Sequence, residues 1–308
     1  TITGVRSAVD IAAPGERMFL AAYLGNSGGI GAAIPGMTQT PTPTDQYFLN
    51  MDGTSFAAPM VAGGIALMKD AANSLLASEA NAQDTRVIKS VLMAGAAETN
   101  GWNNGQNAMN VTTQALDLKT GAGAMDLVAS ADVYYFGTTD VDGAGGGLID
   151  VAGWDSGTIS LGTFTDYILA TELAKEMALT VALNWFAGRS FNGITDTATD
   201  DSFANLDLQV WSVDGNGQFV SKVGESMSTY NNTEFLRINW LAAGRYGLRV
   251  TFDEMVYDTT NSVNAESYGL AWRTFAVPEP GSLAMATVGF LVVLRRKRQR
   301  RFVQASAA

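Results

Sequence analysis

The residues best suited to chemistry sit in one string of eleven: Gly53-Thr54-Ser55-Phe56-Ala57-Ala58-Pro59-Met60-Val61-Ala62-Gly63. A tight glycine turn leads into a serine, and the spacing of Val61, Ile65 and Met68 predicts a helix opening there. A helix start offers unpaired N–H groups and partial positive charge, so negative charge developing beside Ser55 is stabilised. Acyl transfer needs that arrangement, a hydroxyl nucleophile with donors aimed at the nascent oxyanion. The small side chains of Ala57 and Ala58 let the helix start pack closely beneath the hydroxyl. A bare Gly-Thr-Ser reads more simply as a serine N-cap on a buried helix. The full string favours the nucleophile.

A serine nucleophile needs a base, and the 308 residues contain neither histidine nor cysteine. That removes a histidine base, histidine and cysteine metal ligands, and any disulfide framework. Lys69 and Lys89 fall on predicted helices, with no reason for either to approach Ser55. The chain is 47% hydrophobic and 16% charged, a composition for packed cores and not for disorder. Its net charge of −11 is unevenly placed. Six of the 19 basic residues lie between Arg295 and Arg301, and Glu279 is the only acidic residue after Ala276. The body before the tail is therefore strongly acidic and repels nucleic acid, so no DNA or RNA partner is expected.

The elements that must position Ser55 lie in residues 1–131, which read as α/β. A strand-like piece at 8–12 runs into the turn Pro14-Gly15, and a Gly/Thr/Pro-rich stretch at 25–44 reads as an exposed loop. Residues 47–51 form a strand entering Gly53. Pro59 is placed in the first helical turn, where a missing N–H does little harm. Gly63 and Gly64 weaken that helix intrinsically, which marks them as close-packing positions. A second helix spans about 84–94, with Asp84 as N-cap and Val87, Ile88, Val91 and Leu92 on one apolar face.

Residues 132–275 change character. Short β-rich runs at 179–186, 206–213, 235–240 and 246–252 alternate with turn signals such as Asp214-Gly215-Asn216-Gly217 and Ala243-Gly244, the pattern of an antiparallel β-sandwich. Asp200, Asp201, Asp207 and Asp214 are candidate oxygen ligands for a structural Ca²⁺, with solvated loop carboxylates as the plainer reading. Trp185, Trp211 and Trp240 suit core positions better than a carbohydrate platform, because their neighbours alternate apolar. Residues 276–308 are a third unit: Val277-Pro278-Glu279-Pro280-Gly281, twelve apolar residues at 283–294, then the basic cluster. The apolar run is shorter than the roughly 20 residues of a comfortable span. Snorkelling arginines extend it enough for transient crossing, with the basic end cytoplasmic and the acidic body exported. An ordinary C-terminal anchor is the alternative.

The serine string resembles the nucleophile segment of subtilisin-like (S8 family) serine peptidases. Val9-Asp10-Ile11-Ala12-Ala13-Pro14-Gly15 resembles the strand and turn preceding that serine in the family, and Gly121-Ala122-Gly123-Ala124-Met125-Asp126-Leu127 resembles a segment near the end of its catalytic domain. The resemblance implies a partial subtilisin-like three-layer α/β fold over 1–131, then the accessory sandwich over 132–275 and a C-terminal transmembrane helix within 276–308. It implies that Ser55 is the nucleophile of a serine endopeptidase acting on protein or peptide substrate. In that family the triad Asp and His, and the oxyanion Asn, precede the serine by more than the residues present here. Asp10, Asn26 and Asn50 therefore take none of those roles, the chain reads as the C-terminal part of a longer protein, and by itself it is expected to be inactive. Residues 207–211 and 241–246 resemble an accessory sandwich of secreted bacterial peptidases, with a role in support, substrate docking or surface attachment. The tail resembles a PEP-CTERM sorting signal, which implies export, membrane contact and processing near Pro278 and Pro280 by an exosortase-type enzyme. No cofactor is implied. The competing class is a non-catalytic exported surface or binding protein built on a subtilisin-like remnant.

Overall fold

The computed structural model describes residues 9–21, 47–141, 145–174 and 176–276. Strands β1 (Met18–Ala21) and β2 (Tyr47–Met51) form an antiparallel ribbon that feeds helix α1 (Thr54–Leu75). Helix α2 (Thr85–Gly95) starts where expected, because Asp84 accepts the Arg86 N–H at 2.8 Å and closes the first turn. Helix α3 (Leu127–Tyr135) starts the same way, with Asp126 accepting the N–H groups of Val128 and Ala129 at 3.0 Å. Pro59 lies beyond the first turn, as the sixth residue of α1. With no N–H there, the Ser55 carbonyl is left out of the helical ladder.

Beyond α3 the described residues are mainly strand. The short strands are β3 (Val111–Thr112), β4 (Thr138–Thr139), β5 (Gly147–Ile149) and β9 (Gly188–Asn192). The long ones are β6 (Ala152–Ser160), β7 (Thr163–Leu169), β8 (Met177–Trp185), β10 (Thr197–Val213), β11 (Phe219–Ser226), β12 (Thr233–Leu241), β13 (Arg245–Asp258) and β14 (Ala265–Ala276). One sheet runs β3-β11-β10-β13-β7-β5, with β9 also on β10, and the other runs β12-β8-β14-β6-β4. Alternate side chains of both sheets fill the space between them, including Leu179, Val181, Leu183, Leu206, Leu208, Val210, Leu248 and Val250. The opposite face of the β8–β14 sheet is apolar too. Trp154, Ala182, Phe235 and Ala271 pack there against Val87, Ile88, Val91 and Leu92 of α2 and Val133 and Tyr134 of α3. Gly269 permits this seat, since a Cβ there would lie 2.4 Å from the Arg86 backbone.

The expected fold class is corrected by the sheets. The described residues are dominated by fourteen strands against three helices, and their strands up to residue 131 build no parallel sheet. The strand-like piece near Asp10 makes single bridges, Ile11 to Gly121 and Ala12 to Ala124, instead of a ladder. The apolar face of α2 is covered by the sandwich and not by an α/β sheet. The sandwich sheets are mixed, not purely antiparallel: the short strands β3, β4 and β5 run parallel to β11, β6 and β7 at the sheet edges. No helix among the described residues is long and apolar enough to cross a membrane. The expected transmembrane helix at 283–294 and the loop at 25–44 lie outside the described residues. Helix α3 runs across position 131, and β3 joins a sandwich sheet, so the two halves of the body share elements.

Candidate active site around Ser55

Three separate segments meet beside α1. The Gly53 N–H donates to the Gly15 carbonyl at 2.8 Å, which ties the residues around Pro14 to the helix start. A Cβ on Gly15 would sit 2.8 Å from the Gly53 oxygen and 3.2 Å from the Ala57 Cβ, so glycine is required for this approach. Gly53 itself is extended (φ 165°), and the chain enters α1 from β2 without a left-handed turn. Residues 10–12 lie against the glycine segment that follows β3: Ala122 N–H donates to the Asp10 carbonyl at 3.0 Å, Ala12 N–H to Gly123 at 2.8 Å, and Met125 N–H to Ala12 at 2.7 Å. Gly121 has φ 64°, and a Cβ there would meet the Asp10 carbonyl at 2.3 Å. Gly64 packs α1 on Leu127 and Met125, at 2.9 and 3.1 Å from its would-be Cβ, whereas Gly63 faces open space.

Ser55 is the second residue of α1 and is exposed. No side chain caps this helix start and its first turn carries no acidic residue, so the positive helix end is left for an incoming group. From Thr54 a groove of about 760 Å³ runs between α1 and α2, lined mainly by apolar side chains such as Ile11, Val61, Ile65, Ile88 and Leu92. The lysines are engaged elsewhere. Lys89 Nζ lies 3.0 Å from Asp10 Oδ1 and 3.1 Å from Thr233 Oγ1, and Lys69 Nζ donates to the Gln83 carbonyl at 3.4 Å. The site thus presents an exposed serine hydroxyl at an uncapped helix end, with an apolar groove starting at the neighbouring Thr54.

A model of the subtilase family matches residues 2–123, which include all of α1 and α2, and a PEP-CTERM protein-sorting motif matches residues 276–299. The chain carries a subtilase-like domain with a PEP-CTERM tail. The subtilase-like match contains Ser55, the Val9–Gly15 string and the glycines at 121 and 123 that seat it. No curated protein matches the chain. Among solved structures, the Aeromonas hydrophila periplasmic inhibitor of g-type lysozyme is 14% identical, covers 45% of this chain and 96% of its own, and has a TM-score of 0.25. Its Salmonella Typhimurium counterpart is 14% identical, covers 45% and 99%, and has a TM-score of 0.21. A protein of Sulfurospirillum deleyianum is 9% identical over 40% and 97%, with a TM-score of 0.22.

The four aspartates considered for Ca²⁺ do not converge. Asp200 pairs with Arg189 at 2.5 Å, Asp201 accepts from Ser190 at 3.2 Å, and Asp214 closes its turn by accepting from Asn216 and Gln218. Asp207 stands apart on β10, its carboxyl pushed up to about 7 by burial and by the charges of Asp253, Glu225 and Glu254. Among the described residues no three acidic side chains gather as a metal site would require. Trp185 is fully buried, Trp211 half-buried, and Trp240 61% exposed. Sequence reasoning missed the Asp10–Lys89 pair and the position of Arg237, which donates to the Ala96 and Ala122 carbonyls at 2.8 and 3.1 Å. Arg237 alternates with Leu236 and Ile238 and shares a face with Asn239, so the sequence gives no sign that it is buried.

Proposed function

We propose that the chain belongs to an exported serine endopeptidase of the subtilisin type, in which Ser55 is the nucleophile and the base comes from outside these 308 residues. The observation that carries this reading is the exposed, uncapped position of Ser55 at the start of α1, inside the subtilase-like match. The chemistry is two-step. A histidine takes the Ser55 proton as Oγ attacks the substrate carbonyl, the unpaired N–H groups of the helix start stabilise the oxyanion, and water then releases the acyl group. Within these residues, Lys69 and Lys89 are held by their own partners, so the isolated chain lacks that base. The PEP-CTERM motif supports export and attachment at the membrane or cell surface, with an exosortase-type enzyme processing the tail. The sandwich serves as support or docking surface.

A test is casein hydrolysis by the intact gene product, its Ser55→Ala form and the 308-residue chain. The expected result is activity in the first, a loss of about 10³-fold or more on Ser55→Ala, and none in the third. Equal hydrolysis with and without Ser55 contradicts the reading. The non-catalytic alternative is favoured by one observation: α2 and α3 share a core with the sandwich, as parts of a binding body would. Inactivity of the intact product, with its fold retained, would support that alternative.

A further inference from the structure

A second cavity, of about 420 Å³, lies at the opposite end of α2 from Asp84 and is bounded by Glu98, Arg237, Asn239, Trp240, Arg273 and Phe275. Its two arginines stand in one cross-strand row. Arg237 on β12 and Arg273 on β14 both pair with Thr180 on β8, and Thr180 Oγ1 donates to the Ala94 carbonyl at 2.6 Å, so the row faces the helix layer. Arg237 is 5% exposed, its guanidinium 5.4 Å from the Trp102 ring and 5.7 Å from the Phe235 ring. Nη2 serves the Ala96 and Ala122 carbonyls, while Nε is buried with no hydrogen-bond partner. Arg273 lies over the Phe275 ring at 5.0 Å and makes no ion pair among the described residues. Asp126 is committed to capping α3, and Glu98, exposed at the cavity rim, acts on Arg237 through its charge without a hydrogen bond or ion pair to either arginine.

Two guanidiniums on one wall suit a carboxylate, which they bind through paired N–H donors. The exposed indole of Trp240 and the ring of Phe275 suit flat apolar groups on either side of it. The chain itself carries such a group within reach. Strand β14 ends at Ala276, and Glu279 is the third residue after it, so the chain can carry it at most about 10 Å from the strand end. Glu279 is the only acidic residue after Ala276 and sits between Pro278 and Pro280.

We propose that the Arg237–Arg273 cavity is a carboxylate-binding site whose occupant is Glu279 of the chain's own Val-Pro-Glu-Pro segment. The two guanidiniums supply donors for that carboxylate, and Trp240 and Phe275 supply apolar surface beside it. A tether of three residues raises the local concentration of the group to the millimolar range, enough for a site of low intrinsic affinity. A processing enzyme must then compete with the body for the motif. The proposal rests on the tail motif and this cavity, and is independent of Ser55 chemistry.

The test uses the full chain in detergent micelles and follows proteinase K cleavage between body and tail by mass spectrometry. Arg273→Glu and Glu279→Arg should each speed cleavage about threefold to fivefold, and the charge-swapped double variant should return to within about twofold of wild type. Trp240→Ala, which changes only an exposed rim, should also speed cleavage and serves if Arg273→Glu fails to melt like wild type. A synthetic Val-Pro-Glu-Pro-Gly peptide should quench Trp240 fluorescence of the Glu279→Arg chain, and do so far less once Arg273 is also reversed. Unchanged cleavage in the single variants, or no restoration in the swap, overturns the proposal. Tight binding of an unrelated acidic peptide, with wild-type cleavage indifferent to Arg273, overturns the assignment of Glu279 as occupant.

Discussion

Gly15 and Gly53 share a backbone hydrogen bond, and a methyl group on Gly15 would sit 2.8 Å from the Gly53 oxygen. Presentation of Ser55 depends on that contact, because it fixes where the chain turns into α1. Gly15→Ala should lower the thermal midpoint by several degrees and expose the segment around Val9 to proteolysis, since backbone is the part that must yield. Ser55→Ala should leave the midpoint unchanged, because the serine is exposed and caps nothing; its stability effect belongs within about 0.5 kcal/mol. A large loss on Ser55→Ala in a urea titration would restore the plain capping role for this serine. The serine string and its glycines were legible in the sequence because their interactions are local or follow from backbone geometry. The Lys89–Asp10 pair was not legible, since two residues so far apart in sequence meet only once α2 has docked.

Helix α2 was predicted almost to the residue because its cap and its apolar face are both written within it. What that face would meet was not. A run such as Val87-Ile88 next to Val91-Leu92 states that it must be buried, but any apolar sheet satisfies it. The sandwich supplies the sheet, and two polar contacts fix the seat: Ser90 Oγ donates to the Gly269 carbonyl at 2.7 Å and accepts from Asn184 Nδ2 at 2.8 Å. Ser90→Ala leaves a buried amide donor with only the Met93 sulfur at 3.6 Å, and should cost about 1–3 kcal/mol in denaturant unfolding. No change would mean the seat is set by apolar packing alone. Helix α1 shows the reverse case. Its sequence is apolar nearly all round, yet only Gly64, Met68 and Ala72 are buried, and Met60, Leu67 and Leu75 stand exposed. Leu67→Lys with Leu75→Lys should reduce binding of a hydrophobic dye to the chain without lowering its midpoint.

The whole molecule carries more strand than its composition announced, and the reason lies in length. Strands β10 and β13 run well past the apolar runs that marked them, pairing from Ser202–Asp258 to Val213–Arg245, and polar residues at their ends gave no periodic signal. The parallel edge strands are two or three residues long, below what any pattern detects. The body also buries carboxyls that sequence would leave in water. Burial raises Asp207 and Glu266 to about 7 and Asp155 to about 6, and pushes Glu234 well above the usual range. A carboxyl with a raised folded pKa binds more protons folded than unfolded, so its stabilising effect is full below about 4 and is lost as pH rises through about 7. The midpoint should therefore fall between pH 5.5 and pH 8, and Asp207→Asn should flatten that slope; a midpoint rising over this range contradicts the assignment. For the account as a whole, the most direct measurement is fluorophosphonate labelling of the intact gene product, with the adduct located by tandem mass spectrometry. The account predicts a single adduct on Ser55, and essentially none on the 308-residue chain by itself. Labelling at another serine, or none on an intact product that carries its own histidine, contradicts it.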